Sequence, residues 1–295
     1  GVKDGHVRIV HNVREHLEKN PDLEILRLDV SNAYGSMPRN LIHQQLQGRD
    51  PSLQQYFRLC YGEPSSIAMF GSSTDEIAFV ELGEGVKQGD STSSLLFCLG
   101  LDKAINLIHA ATVALGIIAY IYVYMDDLTI CARSSDMDRV ARIAHESIQA
   151  IGLTVNDDKS RILARKPRAT AYFRSVDHSE PFVILGANIA DSEAAHAKFE
   201  DELIQKQKNY FEKLSEADLH PQIEFTLLRI CGDPRIKFAC QTSPHVKELS
   251  RGFDEFIKHK IEAIIDPSGS TFVTPEQLHT AEGCGFSFYA PNAIT

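Results

Sequence analysis

The chain has 295 residues, 43% hydrophobic and 24% charged, which suits one large or two smaller globular domains and excludes a disordered chain. Its formal net charge is −10 and neither half is basic: residues 1–160 carry 14 Lys and Arg against 21 Asp and Glu, and residues 161–295 carry 16 against 19. The composition thus excludes a broad basic footprint for nucleic acid; the longest apolar stretch, Ala110–Met125, is too short and too strand-like to span a membrane.

Val7–Lys19 carries Val7, Ile9, Val10, Val13 and Leu17 at mostly helical spacing and predicts a helix ended by Asn20-Pro21. Leu23–Val30 alternates as a strand with Asp29 at its C-terminal end. Pro38-Arg39-Asn40 opens a helix through Leu46, and Pro51–Tyr61 predicts another. Ile67–Val80 predicts a hairpin around Gly71-Ser72-Ser73. Ser91–Leu115 predicts a long helix ended by Gly116. Ile117–Ala132 reads as strand–turn–strand, and Asp136–Ile151 as an amphipathic helix on Val140, Ile143, Ala144 and Ile148. Pro181–Ile189 predicts a strand broken by Gly186. From Ala194 the chain is helical and more polar, with breaks at Pro234, Pro244 and Pro267. The order suits an α+β fold, an antiparallel sheet with helices on one face, and a boundary that separates residues 1–195 from 196–295.

Asp126-Asp127 interrupts the β-branched and aromatic run Ile121–Ile130. Charge is costly there unless it is solvated, paired or bound to metal. A hairpin turn at Met125-Asp126-Asp127 would lift both carboxylates to the strand tips. Taken alone, a solvated Asp turn explains them equally well. Asp29 stands 97 residues earlier at another strand end. If the two strands are neighbours, three carboxylates converge. Such hard oxygen ligands suit Mg²⁺, which keeps waters and takes substrate phosphate oxygens. Two ions about 3.5–4 Å apart would serve an in-line phosphoryl transfer. No Gly-rich phosphate loop supports a nucleotide hydrolase instead. The six cysteines lack a CxxC pair and read as reduced thiols; Cys231, Cys240 and Cys284 do not have the spacing of a zinc knuckle. The twelve histidines are dispersed and read as surface or packing residues.

Leu28-Asp29-Val30-Ser31-Asn32-Ala33-Tyr34, with Gly35-Ser36-Met37-Pro38-Arg39, resembles motif A of reverse transcriptases. Gly85-Val86-Lys87-Gln88-Gly89-Asp90 with Leu95-Leu96-Phe97 resembles motif B, and Tyr124-Met125-Asp126-Asp127 is the YxDD of motif C. Leu153–Ser160 resembles motif D and Phe182–Gly186 motif E. Five motifs in order make a specific match. Ser31–Tyr34 with Pro38-Arg39 resembles non-LTR retrotransposons, in particular the lineage with a restriction-like endonuclease. The opening Gly1-Val2-Lys3 and His11, Leu227-Leu228-Arg229 with Pro234-Arg235, and Gly283-Cys284-Gly285-Phe286 with Ala290-Pro291 extend that likeness over nearly the whole chain, more loosely after residue 200.

The resemblance implies a polymerase palm with partial fingers over residues 1–195 and a helical thumb with a C-terminal connection over 196–295. It implies RNA-directed DNA polymerase activity on an RNA template, with a DNA primer or nicked target DNA and deoxynucleoside triphosphates, and no membrane. Two Mg²⁺ ions, replaceable by Mn²⁺, would be held by Asp29 and Asp126 with help from Asp127. Tyr34 would lie under the incoming sugar and clash with a 2′-hydroxyl. Gln88 and Gly89 would lie near template and incoming base, where glycine lets backbone approach closely; a plain helix entry capped by Asp90 or Ser91 accounts for the same residues. Ser91 stands where the family often has proline. Lys159 would meet the departing pyrophosphate as cation or proton donor, and Gly186 would help grip the primer.

Only 28 residues precede Asp29, so the upstream finger strands, with their basic residues, are expected to be largely missing, and the chain to be a core fragment of a larger, nuclear-acting retroelement protein. Two other readings stay open. One is an inactive or domesticated palm that only binds nucleic acid or protein, favoured by the short N-terminus and acidic charge. The other is an RNA-dependent RNA polymerase, which Tyr34 disfavours.

Overall fold

A computed structural model describes residues 4–70, 77–232, 234–245, 253 and 257–261. The turn expected at Gly71-Ser72-Ser73, the Pro267 break, Gly1-Val2-Lys3 and the segments Gly283–Phe286 and Ala290-Pro291 lie outside the described residues. The chain divides into two compact units, residues 15–177 and residues 1–14 with 178–295.

The chain begins with α1 (Gly5–Lys19), whose last turn belongs to the first unit. That unit continues with β1 (Leu23–Leu28), α2 (Ala33–Ser36), α3 (Arg39–Leu46), α4 (Pro51–Tyr61), β2 (Ser65–Phe70) and β3 (Ile77–Leu82). It then runs through α5 (Ser93–Ala114), β4 (Ala119–Tyr124), β5 (Asp127–Arg133), α6 (Met137–Ala150), β6 (Arg161–Leu163) and β7 (Arg174–Val176). The long periodic elements fall within two residues of their expected ends. The three-residue strands β6 and β7 and the single turn α2 were not expected, because so short a run carries no period.

The main sheet has the order β4-β5-β1-β6-β7. Four strands run antiparallel, but β7 lies parallel to β6, because residues 164–173 carry the chain back before it pairs. Leu26 and Leu28 of β1, Leu128, Ile130 and Ala132 of β5 and Ile162 of β6 share one face. They pack with Leu96, Phe97, Leu101, Ala104 and Ile108 of α5 and Val140, Ala144 and Ile148 of α6. Each such side chain taken from water contributes roughly 1.5–3 kcal/mol before chain entropy is subtracted. By length and composition α5 could cross a membrane, yet its buried stripe is the core of this sheet. The opposite face is also covered along β1 and β5, where Leu23, Ile25 and Cys131 are buried, and His16 stacks on Tyr120 at 3.9 Å. The hairpin β2–β3 forms a sheet of its own, with Met69 and Phe79 exposed.

The second unit holds β8 (Val183–Ile184), β9 (Ala187–Asn188), α7 (Glu193–Glu216), α8 (Pro221–Leu227), one π turn at Leu228–Gly232 and α9 (Pro234–Thr242). The strand expected to break at Gly186 is instead a tight hairpin, with Leu185 (φ 49°) and Gly186 (φ 84°) both left-handed at its tip. Asn188 is buried and ties the hairpin: its Oδ1 accepts from the Phe182 and Ala190 N–H groups at 3.0 and 3.1 Å. Phe211, Leu214, Leu228 and Ala239 form the core beside these helices with Phe253, Ile257 and Ile261.

Candidate active site

The carboxylates are set at one end of the main sheet by strand register. In the β1–β5 pair Leu28 faces Leu128, so Asp29, the next residue, comes level with Asp127. Asp127 pairs with Tyr124 across the β4–β5 turn, and Asp126 sits in that turn. The turn is tight because Met125 takes a left-handed conformation at φ 56°, and it leaves Met125, Asp126 and Asp127 exposed. The Asp127 carboxyl is pushed above its ordinary range, first by desolvation and then by Asp126; Arg27 opposes this and Asp29 adds to it. Asp127 therefore feels both of the other acids. The Cys98 thiol on α5 is also pushed up, by burial and by Asp126.

Among the described residues no group of three or more His, Cys, Asp or Glu side chains is arranged to hold a metal ion. The donor set nevertheless fits a magnesium-type ion. Such an ion takes one or two carboxylates and fills its octahedron with water and substrate phosphates, so a three-residue protein cage is not required. A cation at this sheet end would also offset the repulsion from Asp126 and Asp29 that adds to the desolvation of Asp127.

Asp29 is pinned from both sides by the segment that resembles motif D. Its backbone N–H donates to Ser160 Oγ at 3.0 Å, and its carbonyl accepts from Asn156 N–H at 2.8 Å. Val30 bridges to Val155, and Ser31 N–H donates to the Thr154 carbonyl at 2.8 Å. Ser160 is fully buried. Within this segment the resemblance points to Lys159, whereas the contact is made by Ser160, whose sequence signal is a small hydroxyl residue beside a strand start. Lys159 itself is exposed; its carbonyl accepts from Arg27 at 3.0 Å.

Tyr34 lies half-buried against the core, stacked on Phe97 at 4.6 Å, with its hydroxyl donating to Ser94 Oγ at 3.2 Å. The core-aromatic reading and the sugar-facing reading both use this fixed ring. The motif B loop is bonded directly to motif A: Val86 N–H donates to the Tyr34 carbonyl at 2.8 Å and Gly85 N–H to the Met37 carbonyl at 3.1 Å. A Cβ on Gly85 would lie 2.2 Å from the Gly35 oxygen, and its φ is +75°, so only glycine fits. Buried Arg39 fastens the same loop, donating from Nε to the Gly85 carbonyl at 3.0 Å, while its backbone N–H donates to Glu84. Gln88 and Gly89 stand exposed at the loop's outer end. Helix α5 begins at Ser93 with Thr92 as its N-cap residue, later than expected; Asp90 accepts from the Thr92 N–H at 3.2 Å and from the Tyr61 hydroxyl at 2.6 Å. In the second unit Gly186 lies at the hairpin tip, and Arg235 donates to Gln207 at 3.0 Å while covering the Tyr210 ring. Cys231 is exposed and Cys240 buried; Cys284 lies outside the described residues.

Comparison with known proteins matches residues 4–189 to the family described as reverse transcriptase (RNA-dependent DNA polymerase). A retrotransposable element SLACS 132 kDa protein from Trypanosoma brucei gambiense is 23% identical over 273 residues, covering 88% of this chain and 22% of the relative. The chain thus spans about a fifth of the length of that relative. Among solved structures, apo telomerase from Candida tropicalis is 13% identical with a TM-score of 0.45, over 93% of this chain and 56% of that one. Telomerase from Candida albicans, in complex with a fragment of telomeric RNA, is 14% identical with a TM-score of 0.44, over 94% of this chain and 51% of that one.

Proposed function

The chain belongs to the reverse transcriptase family, and from that premise we propose that it is the RNA-directed DNA polymerase core of a non-LTR retroelement. Members of the family bind nucleic acid and work with divalent metal ions. The observation that carries the proposal is the level placement of Asp29 and Asp127, with Asp126 beside them, at one exposed sheet end.

Asp29 and Asp126 would hold two Mg²⁺ ions, for which Mn²⁺ substitutes, with Asp127 assisting. Bound there, the metals would activate a primer 3′-hydroxyl and steady the leaving pyrophosphate. The protein's own part is positioning. The motif D segment holds the Asp29 backbone, the Phe97 stack and Ser94 hold Tyr34, and Tyr34 in turn holds the motif B loop through its carbonyl. Gln88 and Gly89, exposed on that loop, would meet the template and incoming base, and Lys159 the pyrophosphate. The template is RNA, the primer is DNA or a nicked target strand, and the substrates are deoxynucleoside triphosphates. Phosphate and shape contacts hold them, since a polymerase accepts any sequence. Residues 1–195 would serve as palm and residual fingers, residues 196–295 as thumb and connection, and the work of the parent element would place the protein in the nucleus.

Primer extension on an RNA template with Mg²⁺ and deoxynucleotides tests this. Extension by the chain that falls to background in Asp126→Asn is the expected result. No extension, with nucleic-acid binding retained, would point to the inactive palm. Tyr34→Ala should relax discrimination against ribonucleotides roughly 10-fold or more, the order that a single lost contact of 1–3 kcal/mol sets. Unchanged discrimination would remove Tyr34 from the sugar site.

A further inference from the structure

Residues 159–176 carry Lys159, Arg161, Arg165, Lys166, Arg168 and Arg174 and no acidic residue, within a chain of net charge −10. The segment supplies the last two strands on one side of the main sheet, β6 and the edge strand β7. Register gathers part of this charge into a line. Arg27 of β1 pairs with Arg161 of β6, and Arg161 pairs with Arg174 of β7. Laterally paired residues share a face, so three arginines stand abreast across three adjacent strands, spanning about 10 Å. On the other side Arg27 pairs with Thr129 of β5. Asp127 lies two residues from Thr129 and Asp29 two residues from Arg27, so both carboxylates lie toward this face, about 7 Å along the strands from the arginine row.

Like charges paired directly across strands are destabilising. The guanidinium groups of Arg27 and Arg161 are held by backbone carbonyls of the motif D segment: Arg27 by Lys159 at 3.0 Å, Arg161 by Ser160 at 2.8 Å and Asp157 at 3.3 Å. Among the described residues neither Arg161 nor Arg174 forms an ion pair. Arg174 is exposed on the edge strand. Arg168, at the other end of the sheet, differs in kind: Glu24 at 3.0 Å and Asp138 at 2.7 Å neutralise it.

We propose that the Arg27–Arg161–Arg174 row is a binding track for the phosphodiester backbone of a nucleic-acid strand passing the carboxylate end of the sheet. The inference rests on the polymerase reading and adds the surface that holds the strand. It also answers the acidic balance of the chain. Attraction for phosphate needs a local line of guanidinium groups, which bind phosphate oxygens in fork geometry, and does not need a basic protein.

The test is equilibrium binding of fluorescent single-stranded DNA and RNA by the full chain, in EDTA and without nucleotides, over a series of salt concentrations. Arg161→Ala and Arg174→Ala should each weaken binding and lower the slope of log affinity against log salt by about 0.7, the value for one phosphate contact on a single strand. Arg174→Lys should keep the slope. The exposed edge position of Arg174 makes its variants the ones that fold without question; thermal melting checks Arg161→Ala. The same change on DNA and RNA supports a backbone track. Unchanged slopes, or a change confined to one polymer, overturns it. Asp126→Asn should keep binding while losing extension. If wild type does not extend a primer and the arginine slopes still fall, the track stands and the polymerase reading fails. If it extends and the slopes are unchanged, only the track fails.

Discussion

Asp29 and the pair Asp126-Asp127 arrive at the same sheet end by different means. The pair is placed locally: β4 and β5 are consecutive, and one left-handed residue, Met125, closes the turn between them. Asp29 follows β1 and has no turn of its own. Its N–H and carbonyl are held by Ser160 and Asn156, more than 120 residues along the chain. A local turn forms at little loop-closure cost, whereas the Asp29 geometry exists only once the sheet and the motif D segment have closed together. The difference teaches that one carboxylate of the site depends on tertiary structure while two depend mainly on neighbouring residues.

Ser160→Ala should break this contrast most clearly. It leaves the half-buried Asp29 N–H without its acceptor, so both stability and carboxylate position suffer. The Mg²⁺ concentration needed for half-maximal extension should rise roughly 10-fold, the lower end of what supporting groups of metal ligands contribute. Ser160→Thr, which keeps the hydroxyl, should restore it. An unchanged Mg²⁺ requirement in Ser160→Ala would mean that the β1–β5 register suffices to position Asp29.

Met125→Gly sharpens the local side. It removes a left-handed penalty of about 1–2 kcal/mol and costs about 0.5–1 kcal/mol of backbone entropy. The melting temperature should rise slightly while extension falls a few-fold because the turn loosens. A drop in melting temperature would show that the Met125 side chain packs more than its exposure suggests.

The smallest effect is expected from Asp90, on the loop that joins motif B to α5. Hydrogen bonds, first from the Tyr61 hydroxyl and then from Thr92, hold its carboxyl below the ordinary range. A lowered folded-state pKa stabilises above the unfolded value, and the contribution is lost as pH falls through the folded one. Asp90→Asn should therefore lower the melting temperature slightly at neutral pH and flatten the acid limb of the profile, so that the two proteins converge at low pH. An acid limb identical to wild type would rule this contribution out.

Much of this arrangement was legible from local pattern. The Asp126-Asp127 pair betrayed itself because two charges in an apolar β run need a turn or a ligand, and the register then bore out the hairpin. The α5 and α6 helices were readable from their apolar periods. The parallel strand β7 was not, since three residues carry no period and the direction of a strand depends on the path between strands. Gly85 was readable as part of a motif, but its reason, a backbone approach to Gly35 that no Cβ permits, belongs to the folded state.

By itself the sequence determined the family, the order of the elements and which residue types could do chemistry, because motif spacing and hydrophobic period act over short stretches of chain. Only the tertiary structure decided that Asp29 comes level with Asp127, that Ser160 and Asn156 hold it there, and that Arg27, Arg161 and Arg174 fall into one line. Those relations are set by pairing register between segments far apart in the chain. Register is a property of the whole sheet, where one residue of slip would send each side chain to the other face.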